Sequence, residues 1–149
     1  MSWITIGKEI PWLGRDIVYL VSESAEQTLI SDLTKLGFKI VLLDGERITD
    51  DEEFFSEIAP ALSFPDYFGR NWNAFNDSFS DIAYGQDKRI AIIWRRVSLC
   101  LRANLQDFLG IVHRLLRAAT DVGYFDPKRE SVQVEVFLLG EPPDFPKQP

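Results

Sequence analysis

A chain of 149 residues with 46% apolar and 13% aromatic residues is expected to form one globular domain with a buried core. Its net charge of −7 argues against binding a nucleic-acid backbone, which asks for a cationic surface, and suits a basic protein partner. A single cysteine forbids an internal disulfide, no run reaches the ~20 apolar residues of a membrane span, and the N-terminus lacks signal-peptide order, so a cytoplasmic protein is expected.

In chain order, Met1 to Arg15 carries Trp3, Trp12 and a short Ile4-Thr5-Ile6 alternation, and reads as an irregular arm or edge strand. Asp16 to Val21 is a continuous apolar run, the pattern of a strand buried on both faces. Ser24 and Gln27 have capping-box spacing, opening a helix to Leu36 that Gly37 would terminate. Lys39 to Leu43 reads as a second buried strand. Thr49 and Glu52 form another capping box, and the helix after it buries Phe54, Phe55, Ile58 and Leu62. Pro65 interrupts any continuation.

A second helix then runs to about Ala83, with Trp72, Phe75, Phe79 and Ile82 on one face. Tyr84 to Asp87 is a turn, Arg89 to Trp94 a third strand, and Arg95 to Asn104 a helical turn or connector. Leu105 to Ala119 is an amphipathic helix expected to point Phe108, Leu109, Val112, Leu115 and Leu116 inward. Asp121 to Glu130 is a loop, Val132 to Leu139 the last strand, and Glu141 to Pro149 a proline-rich tail expected to be disordered. Strands alternating with helices predict an α/β fold with a small parallel sheet of three to four strands and right-handed crossovers.

The stretch Phe64 to Ile82 is chemically the most distinctive. Tyr67 and Phe68 follow Pro65; on an extended segment Phe68 can bury while Tyr67 faces out. Gly69 suits a turn with positive φ, and Asn71 is placed to cap the helix. The polar face carries Asn73, Asn76, Asp77, Ser80 and Asp81, short side chains that are mediocre helix formers but lose little entropy when a partner orders them. An ordinary solvated face is the alternative reading of that composition. From Asp44 to Asp87 there are eleven acids against two bases, and from Lys88 to Arg117 seven bases against one acid. The acidic half could steer a cationic partner, or Asp50 to Glu53 could simply complement a helix N-terminus.

At these residues the chain resembles the barstar family of ribonuclease inhibitors. The family's inhibitory segment has the form L-P-x-Y-(Y/F)-G-x-N-(L/W)-D-A-L-x-D, and Phe64 to Asp77 reads F-P-D-Y-F-G-R-N-W-N-A-F-N-D. The resemblance extends from Lys39 to Gly140 in the order of elements. It implies a three-stranded parallel sheet, to which the segment before it would add a β-α unit, giving a single barstar-like domain over 1–140 with 1–37 as the N-terminal addition. It implies that Tyr67 and Asp77 enter a nuclease active site, with Gly69, Asn73, Asn76, Ser80 and Asp81 completing the contact surface. It implies no cofactor and no catalysis. Asn73 stands where the family has its first helix acid, and His113 with Arg114 where the last helix supplies another.

No phosphate-binding loop, dinucleotide fingerprint or nucleophile elbow is present. The one histidine, His113, and the one thiol, Cys100, make a structural zinc site implausible and leave a Cys/His nucleophile pair conceivable only. Three readings remain open: an inhibitor of a nuclease toxin acting as an immunity protein, a module of the same fold recognising another protein, and a small enzyme with an unrecognised site.

Overall fold

The computed structural model describes residues 3–14, 16–124 and 130–145. Its elements are α1 (Ile6–Glu9), β1 (Val18–Ser22), α2 (Glu26–Lys35), β2 (Lys39–Asp44), α3 (Asp51–Ala61), α4 (Trp72–Ser80), β3 (Arg89–Arg95), α5 (Ser98–Ala103), α6 (Leu105–Gly123) and β4 (Gln133–Gly140). The four strands form one sheet in the order β1-β4-β3-β2, every neighbouring pair parallel. The fold is therefore α/β with an all-parallel sheet, as the alternation of strand and helix predicts. The expected β-α addition is present: β1 joins the sheet at the β4 edge, with Val18 opposite Val136 and Ser22 opposite Gly140.

Because side chains alternate along a strand, each strand feeds two cores. Val41, Leu43, Ile90, Ile92, Trp94, Val134, Val136 and Leu138 face the layer made by α3, α4 and α6. Tyr19, Val21, Ala91, Ile93, Phe137 and Leu139 face the opposite way, under α1 and α2. The central strands β3 and β4 are buried at every position but Arg89, Arg95 and Glu135. The outer two correct the expectation. β1 and β2 are the sheet edges, and Leu20 and Leu42 are 45% and 44% exposed.

The N-terminal arm is not a strand. Ile6 and Ile10 repeat at helical spacing, and the chain forms α1 and a 3-10 turn at Pro11–Leu13 that press both isoleucines into the second core. The buried Gln133 amide holds the arm there, accepting from the Ile4 N–H at 2.8 Å and donating to its carbonyl at 2.7 Å. Met1, Ser2 and Arg15 lie outside the described residues.

Helix ends follow local chemistry, with some shifts of register. Gly37, at φ +86°, ends α2 with Phe38 N–H bonded to the Leu33 carbonyl and Gly37 N–H to that of Thr34. Ser24 does not cap α2: Glu23–Ala25 is a 3-10 turn, and the Ser24 hydroxyl lies 3.0 Å from that of Ser22. On α3 the cap is Asp50, which accepts from Glu53 N–H at 2.9 Å, while the Glu53 carboxylate reaches back to the Thr49 N–H and hydroxyl. The box is the expected one moved by one residue. Asp50 to Glu53 thus complement the α3 N-terminus.

On α6 the inward set is Phe108, Ile111, Leu115, Ala118, Ala119 and Val122, with Val112 and Leu116 half-buried and Leu109 exposed, contrary to expectation. Residues 125–129 of the expected loop lie outside the described residues, as do 146–149 of the expected tail. Glu141 to Phe145 forms a turn instead of a free tail, and Phe145 packs into the main core against Gly140, where any Cβ would collide with the ring at 2.3 Å.

Candidate partner-binding surface

The segment between α3 and α4 is shaped from both ends. α3 stops with Ser63 in the left-handed region at φ 56°, its N–H on the Pro60 carbonyl and the Phe64 N–H on that of Ala59. A turn follows in which Phe68 N–H meets the Pro65 carbonyl at 2.9 Å. Phe68 turns inward against Phe55 and Phe64, with ring centroids 5.8 and 5.2 Å away. Tyr67 is left 86% exposed. The sidedness expected of this pair holds, but a turn sets it and not the extended segment that was expected.

Gly69 does not take the positive φ expected of it. Arg70 does, at φ 53°, and its guanidinium is tied to the Glu52 carboxylate and carbonyl at 3.2 Å and to the Ser56 hydroxyl at 2.6 Å. These bonds to α3 offset the strain of a non-glycine residue in that region. Gly69 leaves the cap room: an added Cβ would stand 3.3 Å from the Asn71 side-chain nitrogen, a tight approach, and 3.5 Å from Ala74 Cβ, an ordinary contact. Asn71 caps α4 as predicted, its Oδ1 accepting from Ala74 N–H at 2.8 Å and its Nδ2 donating to the Gly69 carbonyl at 3.2 Å.

The apolar face of α4 anchors it. Phe75 and Phe79 are fully buried. Trp72 is half-buried, stacked on Phe54 at 5.7 Å and edge-on to Phe55 at 4.8 Å, and donates its indole N–H to Asp51 at 3.0 Å. The Arg114 guanidinium of α6 lies 4.8 Å above the same ring. Sequence reasoning missed that pairing, which joins residues far apart in the chain.

The outward face of α4 presents Asn73, Asn76, Asp77 and Ser80, with Asp81 just beyond its end; all are exposed. Ser80 spends its hydroxyl on the Asn76 carbonyl at 2.9 Å, so its donor is committed within the helix. The acids of the surrounding stretch divide cleanly. Asp44, Glu46, Asp50, Asp51, Glu52, Glu53 and Asp87 each hold a cap, an ion pair or an indole N–H. Asp66, Asp77 and Asp81 are exposed and Glu57 is half-buried, and none of these four carries such a partner among the described residues. Asp66, beside Tyr67, was not singled out from the sequence. The basic half is largely consumed: Arg95 pairs with Glu26 at 2.5 Å, Arg96 with Glu46, Arg102 with Asp144 at 2.6 Å and Lys88 with Glu130 at 3.6 Å.

Cys100 is fully buried, and burial, followed by Asp107 and the acids at the α3 N-terminus, pushes its thiol up to about 11. A sealed, protonated thiol offers no nucleophile at neutral pH. Among the described residues no three His, Cys, Asp or Glu side chains cluster as metal ligands, and no helix is long and apolar enough to cross a membrane.

The family described as Barstar (barnase inhibitor) matches this chain over residues 38–138, from the start of β2 into β4. The arm, β1 and α2 lie outside that match. No curated protein matches the chain.

Proposed function

The chain belongs to the barstar family, and on that footing we propose that it is a cytoplasmic protein inhibitor that binds and blocks the active site of a basic nuclease toxin, a ribonuclease, as an immunity protein. The observation that carries the reading is the surface around α4. Asp66, Asp77 and Asp81 are exposed and unpaired on the segment that also exposes Tyr67, while Asp50 to Glu53 at the α3 N-terminus are each already engaged. Free carboxylates on α4 and at its two ends can accept from the Arg and Lys side chains that would otherwise hold RNA phosphates, and Tyr67 adds contact area. Asn73 and Asn76 add neutral hydrogen bonds, Gly69 lets the loop approach, and Ser80 and Asp81 form the rim. Inhibition is by occupation, with no bond made or broken.

The test is an RNA-cleavage assay of a barnase-type ribonuclease titrated with this protein, wild type and Asp77→Ala. The exposed Asp77 side chain makes no hydrogen bond or ion pair within the fold, so the variant is expected to keep its urea midpoint and to lose inhibition. Truncating one member of a buried interfacial charge pair costs about 2–5 kcal/mol, a range that draws on barnase–barstar itself and is therefore borrowed. Equal inhibition by both proteins, or an equal loss of stability, defeats the assignment.

One observation favours a narrower partner. Asn73 replaces an expected helix acid, and α6 offers exposed His113 and Arg114 in place of another. A partner shaped for this surface would lack a cation opposite Asn73, so the natural nuclease would differ from barnase there, or the module would recognise a protein that is not a ribonuclease. Capture from the native source followed by a nuclease assay on the captured protein separates these.

A further inference from the structure

The far edge of the sheet, away from α4, carries a feature that neither packing nor the α4 surface accounts for. β1 begins pairing with β4 only at Val18–Val136, so Gln133 to Glu135 run past the end of the β1 ladder. Strand alternation puts Glu135 on the same face as Gln133 and Phe137. Gln133 is fully buried and fully used, since its amide exchanges both hydrogen bonds with the Ile4 backbone. Glu135 is different: its Oε2 is sealed from solvent and has no hydrogen-bond partner. A half-buried carboxylate with one sealed, unpaired oxygen is costly, and an apolar residue would fill the position without that cost. Burial alone raises the carboxyl to about 7.

Two adjoining clefts of ≈ 280 and ≈ 220 Å³ meet at this carboxylate and share Trp3, Asp16 and Glu135. Tyr124 walls the larger and Tyr19 the smaller. Trp3 is 54% exposed and seated over Gly123, where an added Cβ would stand 3.1 Å from the indole ring. The Tyr19 phenol is held above its ordinary range by burial and then by the Glu135 charge, while a hydrogen bond with the Asp16 backbone opposes the rise, and both clefts are lined by Asp16 and Glu135 together.

Aromatic faces beside two carboxylates form a site for a cation. A carboxylate oxygen without a donor asks for a cation that carries N–H groups. A metal ion is the poorer fit, because two carboxylates supply too few of the six or more oxygen ligands a hard cation takes. The geometry points to a second binding site in this chain, in which Asp16 and Glu135 accept the N–H groups of a guanidinium that lies against Trp3 and Tyr124. The site joins the N-terminal arm, which is outside the family match, to the ends of α6 and β4. It stands independently of the α4 surface.

The experiment is calorimetry on the full chain with three probes: N-acetyl-arginine amide, agmatine and tetramethylammonium. Both guanidinium compounds are expected to bind, a preference for the first assigning an Arg side chain and for the second a free small molecule. Glu135→Gln, with its thermal midpoint measured in parallel, is expected to weaken binding by about tenfold, as loss of a charge-assisted hydrogen bond does. Asp16→Asn, at an exposed residue, is expected to weaken it in the same direction and serves if the first variant fails to fold. No binding of either guanidinium compound, binding unchanged in both variants, or equal binding of tetramethylammonium, which has no N–H to give, overturns the assignment.

Discussion

Glu135→Gln also gives a stability experiment that needs no ligand. An acid titrating at about 7 in the native state and at 4.5 when free disfavours folding wherever the unfolded chain is ionised and the native one is not. Below pH 4.5 the group is neutral in both states and costs nothing. Between 4.5 and 7 the unfolded state loses its proton first, so stability falls as pH rises, by at most about 1.4 kcal/mol per pH unit. Above 7 both states are ionised and the accumulated penalty, about 3 kcal/mol as a ceiling, is constant. Among the described residues, Asp16, Tyr19 and Tyr124 are the titratable groups that line the clefts with it, and none is removed by the substitution. Glu23, raised to about 7 by burial and by Glu141, titrates in the same window and is common to both proteins. The difference between wild type and Glu135→Gln therefore isolates one carboxyl. Urea melts at about pH 5 and about pH 8 are expected to show the variant gaining on wild type by about 2–3 kcal/mol between the two conditions. A difference that does not change with pH would mean that the carboxyl is solvated, and the argument for an uncompensated charge in the cleft would go with it.

Two further substitutions probe the frame that carries the surfaces. Asn71→Ala removes the cap of a nine-residue helix and the bond to the Gly69 carbonyl, and is expected to cost about 1 kcal/mol in a urea melt while weakening any α4-mediated binding by misplacing Asp77. Phe145→Ala empties the space above Gly140 and is expected to cost about 3 kcal/mol, read as a lowered thermal midpoint; a shift near zero would mean that the terminal turn does not pack there.

What could be read from the sequence was what depends on neighbours in the chain. Asn71 was legible as a cap because its acceptor serves an N–H three residues away. Gly37 was legible as a terminator for the same reason. Strand existence was legible in the apolar runs, but strand order was not, because a run such as Asp16 to Val21 looks the same at an edge and in the centre. Only the pairing reveals that β1 has one neighbour and leaves Leu20 in water. Thr49 and Asp50 each precede an acid at capping distance, and the choice between them is made by how Phe54, Phe55 and Ile58 seat in the core. Ile4-Thr5-Ile6 suggested a strand, yet Ile6 and Ile10 at helical spacing bury more, and Gln133 supplies the hydrogen bonds a sheet edge would have given.

The same division applies to the α4 surface. The exposure of Tyr67 follows from the tight turn that carries Phe68 inward, a local property. Which carboxylates are free does not. Glu52 and Asp77 look alike in sequence, and Arg70 in its left-handed conformation spends itself on Glu52 while leaving Asp77 alone. That distribution has a functional consequence. The two bases within the acidic stretch both turn to acids on its far side, Arg70 to Glu52 and Arg47 to Asp44. No cation within the stretch competes for Asp66, Asp77 or Asp81, and Arg114, the nearest cation from α6, is stacked on Trp72. An incoming Arg or Lys would therefore meet carboxylates whose only existing partner is water, which is the condition under which a charge pair formed across an interface strengthens binding rather than exchanging one pair for another.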